Sequence, residues 1–293
     1  MKNIFIVTDF SEASVNAGFY GVELAKHFKA KIFLFHAFEA PVTIPESYIF
    51  YTAEDMGKEA MNHLRNEAET INRYSLVDIQ LYASEGAATK TILEEAKRVG
   101  ADIIICGMKG NAKTWKKILG STATGLIRKS TIPLIIVPED LRFRLPNNIA
   151  FASDVETIPT HQHIEILKEF GETFDSELSI VSVVSGEWNT HFHFRENYLG
   201  FIKELKAMNP TLECLQGPDV SDSIETYVKN NHVNMIAMIP HTHSLLESVF
   251  AGSVTKKMAF LTHVPLLVLP EGTGNAQLHG KEIAGDTITT TDS

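Results

Sequence analysis

Short runs of branched apolar residues alternate with longer segments of helical spacing along the first half of the chain. Residues 3–7, 31–37, 77–83, 102–106 and 134–138 are brief and almost wholly apolar, the pattern of parallel strands buried on both faces. Between them, 12–29, 53–74, 88–99 and 121–130 have helical spacing; Leu93, Ala96 and Lys97 illustrate the third, and Gly100 is its stop. Five strands alternating with four helices predict an α/β fold with a doubly wound, five-stranded parallel sheet.

The pattern is then written a second time. The run from Ser130 to Glu139 recurs from Thr262 to Glu271, an offset of 132, and Gly120-Ser121 falls on Gly252-Ser253 at the same offset. Ile6-Val7-Thr8-Asp9 resembles Phe151-Ala152-Ser153-Asp154 at an offset of 145, so the second copy is shorter by about a dozen residues. A repeat this long is a duplicated domain, since solenoid periods are shorter. Strands are expected near 148–152, 177–184, 211–215, 234–239 and 266–269. The predicted organisation is a tandem: a first domain over 1–140, a charged linker from Glu139 to Asn147, a second domain over 147–271, and a polar tail over 272–293.

Composition narrows the partners. The 293 residues suffice for two domains with separate cores, and 44% apolar with 21% charged is a globular balance. A net charge of -10 disfavours a phosphate-backbone partner, so no nucleic acid is expected. The two cysteines, Cys106 and Cys214, build no disulfide framework, and Cys106 sits inside an apolar run. The apolar N-terminal run is too short for a signal peptide, and no stretch is long enough to span a bilayer. The expected location is the cytoplasm.

Candidate chemistry gathers at the carboxyl ends of the first-half strands, where open parallel sheets bind ligands. Those ends carry Thr8-Asp9-Phe10-Ser11, His36-Ala37 and Gly107-Met108-Lys109-Gly110, the last leading through nine residues to Gly120-Ser121-Thr122 at a helix start. Gly107 and Gly110 would let the backbone approach a ligand closely, and the free N–H groups of the helix would favour a phosphate chain. Asp9 is placed to accept from a ribose hydroxyl. The residues alone leave two readings open, an anion cradle and glycines that serve only their turns. Lys109, Lys113, Lys116 and Lys117 either screen phosphate charge or form a solvated loop. Trp115 either caps a ligand or packs in the core.

The spacing Gly107-x2-Gly110-x9-Gly120-Ser121 matches the ATP-binding signature of the universal stress protein family, and Thr8-Asp9-Phe10-Ser11 resembles that family's opening. The segments 100–107 and 132–138 resemble its fourth and last strands. The resemblance covers the first 140 residues closely and 147–271 more loosely. It implies two Rossmann-like domains of the adenine nucleotide alpha hydrolase type. It also implies ATP bound in the first, with adenine near Asp9 and Ala37 and the triphosphate over Gly107, Met108, Gly110, Gly120, Ser121 and Thr122. No Walker lysine stands at the loop, so the chain is expected to be at most a slow ATPase. The family's pairing implies that the two halves dock through their last strands, containing Ile135 and Leu267, with further homodimerisation open.

In the second half Gly107 and Gly110 become Ile239 and Thr242, and the bulk of Ile239 predicts a lost nucleotide site. Three His-x-His pairs follow its first, second and fourth strands: His161 and His163, His191 and His193, His241 and His243. Alternate residues of extended chain point the same way, so each pair could chelate Zn²⁺ with Asp154 as a carboxylate ligand. On a helix start the same spacing diverges. The expected function is an ATP-binding regulatory protein of stress response. Its rivals are a metal-dependent hydrolase at the histidine pairs, with Asp154 or Glu156 as base, and a small-ligand or lipid sensor in the second half.

Overall fold

A computed structural model of the chain describes residues 1–40, 52–109, 120–153, 159–184, 198–217, 220–240 and 264–270. Its first half runs β1 (Asn3–Val7), α1 (Glu12–Phe28), β2 (Lys31–Phe38), α2 (Ala53–Ile71), β3 (Ile79–Glu85), α3 (Ala88–Arg98), β4 (Ile103–Met108), α4 (Ser121–Lys129) and β5 (Leu134–Pro138). The second half repeats the theme as β6 (Asn148–Ala152), α5 (His161–Phe174), β7 (Glu177–Val184), a helix α6 over 198–204, β8 (Thr211–Gln216), α7 (Val220–Asn230), β9 (Met235–Met238) and β10 (Leu266–Val268). The predicted tail over 272–293 lies outside the described residues.

Among the described residues, ten strands form one sheet in the order β3-β2-β1-β4-β5-β10-β9-β6-β7-β8. Each half is doubly wound with parallel neighbours. The halves meet where β5 and β10 run antiparallel, with Leu267 opposite Ile135. The strands are apolar on both faces because helices cover both. Ile4, Ile6, Ile32 and Ile105 bury into the α1/α2 face, whereas Phe5, Val7, Phe35 and Ile104 bury against α3 and α4.

Separate cores for the two halves, the expectation from length and repetition, do not describe the packing. The two cores are instead the two faces of the sheet, and each runs through both halves. One contains Ile135, Leu267, Phe151 and Phe170; the other contains Ile136, Leu266 and Val181. Phe28 of α1 meets Phe170 and Phe174 of α5 edge-on, at ring separations of 5.5 and 5.3 Å. The linker is also tied down. Asn16 Nδ2 donates to the carbonyls of Pro138 and Leu141, at 2.9 and 3.0 Å, and Phe143 packs on Tyr20.

Element ends follow local chemistry. Ser11 caps α1, and Lys29 closes it in the left-handed region. Thr52 and Asp55 make a reciprocal capping box that starts α2. Gly100, at φ 65°, supplies the turn that stops α3. The helix predicted to run to residue 74 ends at Ile71, because the Asn72 side chain both donates to the Val77 carbonyl and accepts from the Val77 N–H.

Candidate functional site

A cleft of about 290 Å³ opens at the carboxyl ends of β1 and β4. The strand order of the first half reverses there, which is where open α/β sheets take ligands. It brings together Thr8, Asp9 and Ser11 from the β1–α1 turn, Ala37 from β2, Gly107 from β4, and Gly120, Ser121 and Thr122 from the start of α4. Ser14, His36, Cys106 and Lys109 complete its polar wall. Gly110, Lys113, Trp115, Lys116 and Lys117 lie outside the described residues.

Two predicted residues stand elsewhere. Met108 is buried in the core beneath α3 and α4, because the strand's alternation turns it there. Phe10 lies between the rings of His36 and His63, at centroid distances of 4.4 and 5.2 Å, and is not part of the cleft wall. Its φ of 63° is a region that bulky residues rarely enter.

The β1–α1 turn is held by its own hydrogen bonds. Asp9 Oδ1 accepts from the Ser11 N–H at 3.1 Å, and Ser14 N–H donates to Ser11 Oγ at 3.4 Å. Burial pushes the Asp9 carboxyl up, but hydrogen bonds from Ser11 and Ser14 and the charge of Lys109 outweigh it and hold the group below its ordinary value. Asp9 therefore stands as a carboxylate at neutral pH, a ready acceptor. Burial, with the charge of Asp9, pushes the Cys106 thiol up to about 12, so it is inert as a nucleophile.

The two described glycines of the signature do different work. A Cβ on Gly107 would stand 2.3 Å from the Ala13 carbonyl oxygen, so this glycine admits the first turn of α1 rather than a ligand. Gly120 is the reverse case. It is the N-cap residue of α4, it offers no side chain to the free N–H groups, and a Cβ there would meet nothing within 4 Å among the described residues. The positive end of α4 thus lines the cleft beside Lys109 without a cap from its own N-cap side chain.

Two contributors, Ser14 and Glu67, were missed from the sequence, and His36 was placed at its strand end without a role. Ser14 sits three residues after the N-cap of α1, and the Ser-x-x-Ser spacing could have flagged it. His36 Nδ1 lies 2.8 Å from the Thr8 carbonyl; a carbonyl only accepts, so Nδ1 carries the hydrogen. Glu67 is buried on α2, with Oε2 accepting from the Thr8 hydroxyl at 2.7 Å. Its signal was a charge within the apolar stripe Ala60-Leu64-Glu67-Ile71.

The second half is built differently at the same place. The post-strand hydroxyl is kept as Ser153, whose N–H closes onto the Val181 carbonyl as that of Thr8 closes onto Phe35. Its buried partner is the Tyr198 phenol. Ile239 is buried in the core where Gly107 stood. Four residues (8–11) separate β1 from α1, whereas eight (153–160) separate β6 from α5. Asp154, Glu156, Thr242, Gly252 and Ser253 lie outside the described residues.

His161 and His163 are corrected as a chelating pair. They occupy the first turn of α5, where residues two apart diverge. The His161 side chain is 79% exposed and stands 3.9 Å from Glu165. His163 is buried, with Nδ1 accepting from the Thr160 N–H at 3.1 Å and Nε2 donating to the Pro270 carbonyl at 2.7 Å, so neither nitrogen is available to a metal. His191, His193, His241 and His243 lie outside the described residues. Among the described residues there is no cluster of three metal-ligating side chains, and no helix is long and apolar enough to cross a membrane.

Known proteins give the context. Residues 1–138 match the profile of the Universal stress protein family. A universal stress protein of Methanocaldococcus jannaschii is 28% identical over 142 residues, covering 46% of this chain and 81% of that one. One from Synechocystis aligns over 290 residues at 22% identity, covering 91% of this chain and 99% of its own. Among solved structures, a universal stress protein of Archaeoglobus fulgidus has the same fold, with a TM-score of 0.72 at 18% identity over 92% of this chain and 98% of that chain.

Proposed function

For a chain that belongs to the universal stress protein family, we propose that the first-half cleft binds ATP and that the second half does not. The protein would then act as a nucleotide-responsive regulator in stress response, with hydrolysis slow at most. The observation that carries this reading is the uncapped start of α4 at Gly120. Gly120, Ser121 and Thr122 would hold the phosphates through main-chain N–H groups, with Lys109 as counter-charge. The Asp9 carboxylate would accept from ribose hydroxyls, and Ala37 would border the base. The described volume of about 290 Å³ sits at the lower end for ligand pockets. Buried Ile239 supports a silent second half.

Calorimetric titration tests the proposal together with Gly120→Asp. The N-cap backbone, φ -57° and ψ 156°, accepts any residue. An aspartate there would cap α4 and stabilise the protein by about 1 kcal/mol. It would also place a carboxylate where phosphate is expected. The expected outcome is one ATP per chain for the parent, and a variant with higher Tm and at least about tenfold weaker binding. No binding at millimolar ATP, or two equivalents per chain, overturns the reading.

A further inference from the structure

Glu67 belongs to no wall of the cleft, yet it is joined to its floor. The carboxyl is buried on α2, one oxygen against Thr8 and the other, Oε1, without a hydrogen-bond partner among the described residues. Thr8 Oγ1 is the hub of a small network. It lies 2.7 Å from Glu67 Oε2 and 3.0 Å from Ser14 Oγ, and it accepts from the Phe10 N–H at 2.9 Å. Ser14 Oγ is in turn 2.9 Å from the Ser11 carbonyl.

The hub has a single proton to give, so the state of Glu67 decides the direction of the chain. With Glu67 ionised, Thr8 must donate to it, and Ser14 receives nothing from Thr8. With Glu67 protonated on Oε2, the carboxyl donates to Thr8, Thr8 donates to Ser14, and Ser14 donates to the Ser11 carbonyl. The Thr8 hydroxyl then points away from Glu67 and toward Ser14, and one negative charge next to Asp9 is gone.

We infer that Glu67 is the positioning residue of this cleft, setting by its own proton the orientation of the Thr8 hydroxyl, and with it the bond that Ser14 receives, and so coupling anion affinity to pH. Burial raises the carboxyl above its ordinary value, and the Asp9 charge pushes the same way, against the Thr8 hydrogen bond. An unpaired buried carboxylate oxygen is costly, which favours the protonated form. In the second half the corresponding hydroxyl, Ser153, meets the Tyr198 phenol. Among the described residues the other charged or titratable groups around the network are Asp9 after β1, His36 on β2, His63 on α2, and Cys106 and Lys109 at the end of β4.

The coupling rests on the proposed anion site, but the proton switch itself can be read without ligand. The Phe10 amide reports directly on Thr8 Oγ1. In an NMR titration of the full chain, Phe10 N–H and the Glu67 carboxyl carbon should move with one shared midpoint above the usual carboxylate range. The Phe10 step should vanish in Glu67→Gln, which keeps the shape and the acceptor for Thr8, and persist in His63→Gln. ATP affinity should fall roughly fivefold to tenfold as pH rises through that midpoint, and Glu67→Gln should hold the low-pH affinity throughout. A Phe10 step that survives in Glu67→Gln, or a Glu67 carboxyl with an ordinary midpoint, overturns the inference. An unchanged binding profile in Glu67→Gln overturns the coupling. If ATP binds at no pH, the proposed function and the coupling fall together, and the NMR midpoints alone decide whether Glu67 governs the Thr8 hydroxyl.

Discussion

At the scale of single residues, glycines of one signature turn out to serve different partners. Gly107 faces the backbone of Ala13, and a methyl group there collides with main chain that cannot rotate away. Gly107→Ala should cost about 3 kcal/mol in denaturant unfolding, whereas a Cβ at Gly120 meets nothing within 4 Å among the described residues. Two carboxyls, one in the cleft wall and one behind its floor, also act oppositely on stability. Asp9 is held low, so its contribution is present above its unfolded pKa and is lost as pH falls through the folded one. Glu67 is held high, so its contribution is present at low pH and is lost as pH rises through its folded pKa.

At the scale of elements, the two halves solve the same strand-to-helix connection differently. Gly107 allows α1 to begin close behind β1. With Ile239 buried instead, α5 begins one turn later and needs another tie. His163 supplies it, bridging the Thr160 N–H at the start of α5 to the Pro270 carbonyl just beyond β10. His163→Leu should keep the buried volume but strand both backbone groups, costing about 1–3 kcal/mol. Zinc added to the parent protein should not reproduce or compensate that loss, since both ring nitrogens are already engaged.

At the scale of the molecule, the sheet is continuous through the antiparallel β5–β10 pair, and both cores cross it. A core defect in one half should therefore reach the other. Phe170→Ala removes the ring against Phe28 and is expected to cost about 3–5 kcal/mol. Hydrogen exchange should quicken at the β1 and β2 amides as well as in the second half. Exchange confined to residues beyond 147 would show two independently stable halves instead.

The fold was legible because a parallel strand buried on both faces must be apolar throughout, so runs such as Ile103-Ile104-Ile105 announce themselves without context. The repeat was legible because matching strand ends recur at fixed offsets, and Thr8, Asp9, Gly120 and Ser121 could be placed because strand ends and helix starts have local signatures. What sequence could not supply was everything that depends on a distant neighbour. That Gly107 makes room for Ala13, that Glu67 reaches Thr8 across 59 positions, and that His163 reaches Pro270 across 107 are facts of packing. A hydrogen bond of a few ångströms carries no trace in the chain between its partners. Sequence determined which elements form and in what order; tertiary structure decided which faces meet, and so which polar groups share a proton.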